Sequence, residues 1–279
     1  MPQAWWRGMA LPLILSACAP APHGDTLHPR PTIVSLNPCT DAILAEVAEP
    51  GQILALSHYS HDVRSSSMDI AAARRFAAVG ESVEEVAALR PHVVVSGNFI
   101  APATAAALTG MGFRLELVPM ANTVAESEAQ VRQLAALAGH PERGAALVAR
   151  MRAALDQAAP PPGSAPVNAV VWQSGGMVPG KATLIADLLR RTGFASLSAA
   201  RGMGQAEILP LERMLADPPR VILAAGHDGS QEDRLLSHPA LAALHGTRRE
   251  ALDPALLWCG GPTVIRAAAR LAQIRRGVS

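Results

Sequence analysis

Residues 57–62 read Ser-His-Tyr-Ser-His-Asp, a dense run of chemically capable side chains. Two imidazoles and a carboxylate this close together invite a metal site, because histidine nitrogens and carboxylate oxygens are ordinary zinc ligands. His58 and His61 stand in His-x-x-His spacing, which aims both rings at one ion only when a helix carries it. The segment follows a short apolar strand at residues 53–56 and reads as a loop, so hydrogen bonding to a ligand is the chemistry it favours. A transition-metal site here requires a further ligand from elsewhere, for example His227 or Cys259. Two alternatives use it: a zinc or manganese receptor, and a metal-dependent periplasmic hydrolase on the same loop.

A second stretch imitates a phosphate-binding loop. The strand at 167–173 leads into Gly175-Gly176-Met177-Val178-Pro179-Gly180-Lys181, and a helix follows at 184–192. The Gly-x4-Gly-Lys pattern calls next for a serine or threonine to hold magnesium, and Ala182 stands there. Pro179 has no backbone N–H to offer a phosphate. A nucleotide site is rejected. The sequence has no Gly-x-Ser-x-Gly elbow, no His-Glu-x-x-His and no dinucleotide fingerprint, so no nucleophile or oxyanion hole is marked. The expectation is a protein that is not an enzyme and holds no resident metal or cofactor.

The elements that must position these residues alternate between strand and helix. Residues 32–36 (TIVSL), 53–56, 92–96 (HVVVS) and 114–118 read as strands; helices are predicted at 41–48, capped by Thr40, at 83–89 and at 101–111. A second set follows, with strands at 167–173 and 221–225, a short helix at 211–215 and a last helix at 263–276. Such alternation predicts the α/β class: two Rossmann-like lobes with mostly parallel sheets covered on both faces. Ligands of such sheets sit beyond the carboxyl ends of the strands. That rule selects Pro38, Cys39, Thr40, His58, Tyr59, Asn98 and Phe99 in the first lobe. In the second it selects Trp172, Gln173, His227 and Trp258. Aromatic residues are only 3% of the chain, which makes two tryptophans at strand ends conspicuous, although either can equally be core filler.

Between the halves lies a helical stretch, residues 123–158, which Pro141 should divide. From Pro141 onward it is about 27 Å long at about 1.5 Å per residue, a single long helix joining the lobes. The expected organisation is a signal peptide at 1–17, a tether at 18–31, a first lobe at 32–122, the connector at 123–158 and a second lobe at 159–279.

Composition and the amino-terminal residues give the address. Hydrophobic residues make up 49% and charged residues 17%, which excludes a disordered chain. The net charge is +1, Lys181 is the only lysine, and no basic stripe alternates with aromatics, so nucleic acid is not an expected partner. Arg7 precedes an apolar run at 9–15 that is too short to span a bilayer, then Ser16-Ala17-Cys18, which is the layout of a signal peptide. Leu15-Ser16-Ala17-Cys18 resembles the lipobox of bacterial lipoproteins, which implies lipidation at Cys18 and a periplasmic, membrane-anchored protein. Residues 19–31 are proline-rich, as a flexible tether would be. Beyond Cys18 only Cys39 and Cys259 remain, and an extracytoplasmic address allows either a disulfide or two buried thiols.

Taken in order, these elements resemble the helical-backbone periplasmic binding proteins that feed ABC importers for vitamin B12, iron-siderophores and haem. The pieces that carry the likeness are residues 32–41 (TIVSLNPCTD), Gly80 with 82–91 (SVEEVAALRP), 92–96, 180–189, 209–223 and 252–271. The resemblance implies a ligand held between the lobes, limited hinge closure, and one acidic residue per lobe facing arginines of a membrane permease. The matching positions are Glu84, with Glu85 adjacent, and Glu212. Residues 57–62 resemble a Ser-x-Tyr-Ser-Asp stretch of vitamin B12-binding members, with His61 as an insertion. No arginine cluster stands at the expected pocket, Arg64 and Arg201 being the nearest, so cobalamin or a weakly charged iron chelate is favoured over a strongly anionic siderophore. The resemblance further implies a monomer whose partners are the permease, the small-molecule ligand and the membrane through its lipid. Cys39 and Cys259 fall at cleft turns, one per lobe, where a disulfide would restrict the hinge.

Overall fold

The computed structural model describes residues 30–226 and 238–278. The signal peptide, the lipidation site Cys18 and the ligand candidate His227 lie outside the described residues.

The first lobe runs β1 (Ile33–Ser35), α1 (Pro38–Val47), β2 (Ile53–Ser57), α2 (Ile70–Ala73), β3 (Ala78–Val79), α3 (Val83–Leu89), β4 (Val93–Gly97), α4 (Pro102–Gly110) and β5 (Arg114–Val118). Its strands form one parallel sheet in the order β3-β2-β1-β4-β5. Two helices follow, α5 (Val124–Leu137) and α6 (Pro141–Ala158). Pro141 does divide them: it opens α6, where its missing N–H costs nothing.

The second lobe contains β6 (Val167–Gln173), β7 (Met177–Pro179), α7 (Leu184–Arg191), β8 (Phe194–Ser196), α8 (Leu197–Ala200), β9 (Ala206–Ile208), α9 (Leu211–Ala216), β10 (Val221–Ala225), α10 (Pro239–Ala242), β11 (Arg248–Ala251) and α11 (Pro262–Arg276). Among the described residues β11-β10-β6-β8 form a parallel sheet, and β7 pairs with β9 antiparallel. The chain is thus a two-lobed α/β protein with mostly parallel sheets.

The β7–β9 pairing accounts for the glycine motif. The N–H groups of Gly180, Lys181 and Ala182 go to the carbonyls of Gln205, Met203 and Gly204, leaving none for a phosphate. A Cβ at Gly180 would lie 2.1 Å from the Gly204 oxygen, so strand contact requires glycine here.

The connector is more than a strut. Val131, Leu134 and Ala135 of α5 and Leu147, Val148, Met151 and Leu155 of α6 belong to one apolar core with Ile43 and Leu44 of α1 and Val264, Ala268 and Leu271 of α11. That core runs through both lobes. A carboxylate on α5, Glu128, grips α6 by accepting from Arg152 Nε at 2.9 Å and Nη2 at 2.5 Å, with Arg132 also donating to it. Those arginine hydrogen bonds, Arg152 first, hold its carboxyl below the usual range despite partial burial.

Candidate functional site

The site is best built from the carboxyl ends of the strands. After β1, Asn37 caps α1 by accepting from the Cys39 N–H at 2.9 Å, with Pro38 at the first helical position. The sequence expectation of a cap at Thr40 is therefore corrected. Proline can occupy the first turn, so the helix starts three residues earlier. Thr40 lies inside that turn, buried, with its hydroxyl donating to Asn37 O and 2.8 Å from Ser35 Oγ.

Beyond β2, residues 58–61 form a single 3₁₀ turn, whose start Ser57 caps by accepting from the Tyr59 N–H. Asp41 of α1 braces this turn from beneath. Its Oδ2 accepts from the Ser57 N–H at 3.0 Å and from Ser60 Oγ at 2.6 Å, and the residue is fully enclosed. Burial outweighs the opposing pull of the nearby Ser35 hydroxyl and of the hydrogen bonds from Ser60 and Ser57, and pushes the carboxyl up to about 8. Sequence reading missed this residue, which looked like an ordinary first-turn helix acid.

The loop divides its own side chains. His58 and Tyr59 both face solvent, ring centroids 4.0 Å apart. His61 turns away, with Nε2 3.1 Å from Ala73 O. Asp62 serves the next turn, accepting from the Arg64 N–H and Ser65 Oγ. The two histidines thus have separate partners, and no group of three or more metal-ligating side chains occurs among the described residues.

After β4, Asn98 and Phe99 project into solvent, Phe99 with 75% of its surface exposed. In the second lobe Trp258, beyond β11, is 48% exposed. Trp172 is not: it is fully buried among Val170, Leu197, Leu209 and Ile222, and its indole N–H donates to Leu209 O. Its position near a strand end says nothing about which face it takes. In a sheet covered on both sides it points to the outer helices and presents no wall to a ligand. Gln173 is buried as well. Val63, overlooked in the sequence, adds a 73% exposed apolar side chain beside the His58–Tyr59 turn.

Charge at the site is sparse. Arg201 is occupied by Asp217 at 2.8 Å, and Arg64 is exposed. Of the two adjacent acids on α3, Glu85 folds back to accept from the Gly80 N–H at 2.8 Å, while Glu84 is exposed. Glu212 is exposed in the first turn of α9.

Cys39 and Cys259 are joined in a disulfide, with Cα atoms 4.9 Å apart. The connector is therefore not the sole covalent crossing between the lobes. No other sequence signal distinguished this from two buried thiols.

The sequence profile described as periplasmic binding protein matches residues 33–250. No curated protein matches the sequence. Among solved structures, the chain is similar to the periplasmic heme-binding protein RhuT from Roseiflexus sp. RS-1 in apo form, with 20% identity and a TM-score of 0.72 over 89% of this chain and 99% of that one. It is similar to the periplasmic heme-binding protein HutB of Vibrio cholerae, at 15% identity and a TM-score of 0.73 over 89% and 99%. The periplasmic vitamin B12 binding protein BtuF of Vibrio cholerae gives 17% identity and a TM-score of 0.68 over 90% and 98%. Matched over most of its length, the chain belongs to the periplasmic binding proteins, extracytoplasmic and non-enzymatic receptors that deliver small-molecule ligands to ABC importer permeases.

Proposed function

We propose that this protein captures a corrinoid such as cobalamin, or a weakly charged iron chelate, between its lobes and delivers it to an ABC importer. The observation that carries the reading is the set of large apolar side chains left in solvent beyond the strand ends of both lobes. They are Tyr59, Val63 and Phe99 on one side and Trp258 on the other. Broad apolar walls with few polar groups suit a bulky macrocycle. Arg201 is spent on Asp217, which leaves Arg64, of the two arginines expected near the pocket, to face a strongly anionic chelate. His58 joins Tyr59 in the ligand-facing turn, and Pro38 and Asn98 supply its rim. Because His61 turns away, the loop gives no support to a receptor for a bare zinc or manganese ion.

Glu84 and Glu212 would face permease arginines, contributing mainly encounter rate and orientation. Leu15-Ser16-Ala17-Cys18 supports anchoring through a lipid on Cys18.

The test is a fluorescence titration of the chain from residue 19 onward, which retains Trp172 and Trp258 as its only tryptophans. Cobalamin and haem absorb where tryptophan emits and quench both by energy transfer, so a Trp258→Phe variant assigns the signal between exposed Trp258 and buried Trp172. Cobalamin should bind with a Kd tighter than about 10 μM, roughly −7 kcal/mol, and Phe99→Ala should weaken it about tenfold or more. Haem, a neutral ferric chelate and an anionic ferric siderophore form the comparison. If none of the four binds at that level, or only the anionic siderophore does, the ligand class is wrong. Separately, Glu84→Gln with Glu212→Gln should reduce uptake while leaving the Kd unchanged.

A further inference from the structure

The disulfide does not stand alone at the seam between the lobes. Cys39 follows β1 of the first lobe and Cys259 follows β11 of the second, 220 residues apart in sequence. The turn carrying Cys259 continues Gly260-Gly261-Pro262, and its glycines are pressed against helices outside the second lobe, Gly260 against the connector and Gly261 against the first lobe. A Cβ on Gly260 would lie 2.3 Å from Ser127 Oγ on α5. Gly261 adopts φ +60°, where an L side chain is strained, and a Cβ there would lie 2.5 Å from Ile43 Cγ1 on α1. The Gly261 N–H donates to Ser127 Oγ at 2.7 Å.

The same seam is tied again just beyond. Thr263 Oγ1 donates to Ser67 O at 3.2 Å, and the Arg266 guanidinium donates to the same carbonyl. Ser67 Oγ in turn donates to Pro38 O at 2.8 Å, the residue before Cys39. A closed circuit results: Cys39 to Cys259, through the glycine turn to α11, across to Ser67, and back to Pro38. Any change in the angle between the lobes at this seam must withdraw the glycine turn from Ser127 and Ile43 while the sulfur bridge holds it in place.

We infer that Cys39–Cys259 is a covalent interlobe lock, which fixes the width of the cleft floor and makes that width dependent on the oxidation state of the pair. Opening it takes two electrons from a dithiol. One thiolate attacks a bridge sulfur, forming a mixed disulfide and releasing the other cysteine as its thiolate; the second thiolate of the dithiol then closes on the mixed disulfide and displaces the cysteine still bound in it. Two protein thiols and an oxidised reductant remain. The reduced protein keeps its fold through the shared core but loosens at the seam. The consequence for ligand affinity rests on the proposed interlobe site; the consequence for the seam does not.

Hydrogen–deuterium exchange of the ligand-free chain from residue 19 onward tests the seam directly. Three samples are compared: oxidised wild type, wild type treated with dithiothreitol, and Cys39→Ser with Cys259→Ser. Amides at residues 260–266 and 66–68 should exchange about tenfold faster in the last two, while those of β4 and β6 stay protected. Equal exchange at the seam in all three overturns the lock. Exchange of β4 and β6 as fast as in an unfolded chain in both opened forms also overturns it, because the bridge would then be a staple of the whole fold. If only the double variant loses global protection, the reduced wild type decides. Cobalamin titrated into oxidised and reduced protein should bind about fivefold or more weakly to the reduced form. Equal affinities would remove the link to the ligand site. An absence of binding to both would count against the ligand reading and leave the exchange result standing.

Discussion

At Asp41 a carboxyl group is fully enclosed, accepts two hydrogen bonds through Oδ2, and leaves Oδ1 without a partner among the described residues. Such a group favours its neutral form, and the direction of the resulting pH effect follows from linkage. Its folded value is raised from 3.8 to about 8. Its stabilising contribution is therefore complete below about pH 4, is lost as the pH rises towards 8, and stays constant above that. At about 1.4 kcal/mol per unit the ceiling is on the order of 6 kcal/mol, which local relaxation will reduce. Asp41→Asn retains an acceptor for Ser57 and Ser60 but does not titrate. The melting temperature of wild type relative to this variant should fall between pH 5 and pH 8 and level off beyond. Parallel curves for the two proteins would show that Asp41 titrates normally. This residue could not be found in the sequence, because its donors come from 16 and 19 positions away and only the fold assembles them. The exposed positions of His58, Tyr59 and Phe99 were legible because each follows a strand that the sequence shows, whereas Trp258 follows β11, which it does not. Trp172 has the same sequence context and the opposite orientation, which strand position alone does not reveal.

Among the elements, those buried on both faces were the most readable. β6 and β10 match the expected bounds, since continuous apolar runs leave little choice of length. β11 escaped notice because Arg248, Arg249 and Glu250 carry no apolar signal; it pairs with β10 through backbone alone at the sheet edge. The contact of α5 with α6 was equally invisible, although it makes the connector part of the core. Gly144 on α6 lets the two helices approach: a Cβ there would lie 2.5 Å from Ala135 Cβ and 3.3 Å from Val131 O. Helix propensity alone would favour Ala over Gly by about 1 kcal/mol. Overpacking two rigid backbones costs about 1–3 kcal/mol. The steric term should win, so Gly144→Ala is expected to lower the urea midpoint by about 1 kcal/mol in stability, and Gly144→Val by more. A higher midpoint for Gly144→Ala would show that the helices part without cost.

The whole molecule is divided by its sheets and united by its helices. Two lobes joined through a polar, separable interface would unfold independently. Here the apolar core passes from Ile33 and Val95 in the first sheet through α5 and α6 to Val171 and Leu223 in the second. Polar ties run along the same path. Asp187 of α7 accepts the Val124 N–H at the start of α5 at 3.0 Å. Burial opposes the charge on Asp187, but that N–H together with Arg191 and Arg190 outweighs it and holds the carboxyl below its usual range. His140, between α5 and α6, lies 2.9 Å from Gln52 Oε1, whose amide donates to Ala138 O. Neither lobe can lose its structure without exposing apolar surface of the other. Calorimetry of the oxidised protein should therefore show one transition, with van't Hoff and calorimetric enthalpies in agreement. Reduction should leave a single transition at lower temperature. In the chain-entropy account, releasing a loop of this length removes up to about 5 kcal/mol. At about 2–4 °C per kcal/mol for a chain of 150–250 residues, and somewhat less for a longer one, that corresponds to a fall of up to about 10 °C. Two resolved transitions in the oxidised protein would mean that the shared core does not couple the lobes. Two transitions only after reduction would mean that the sulfur bridge, rather than α5 and α6, does the coupling.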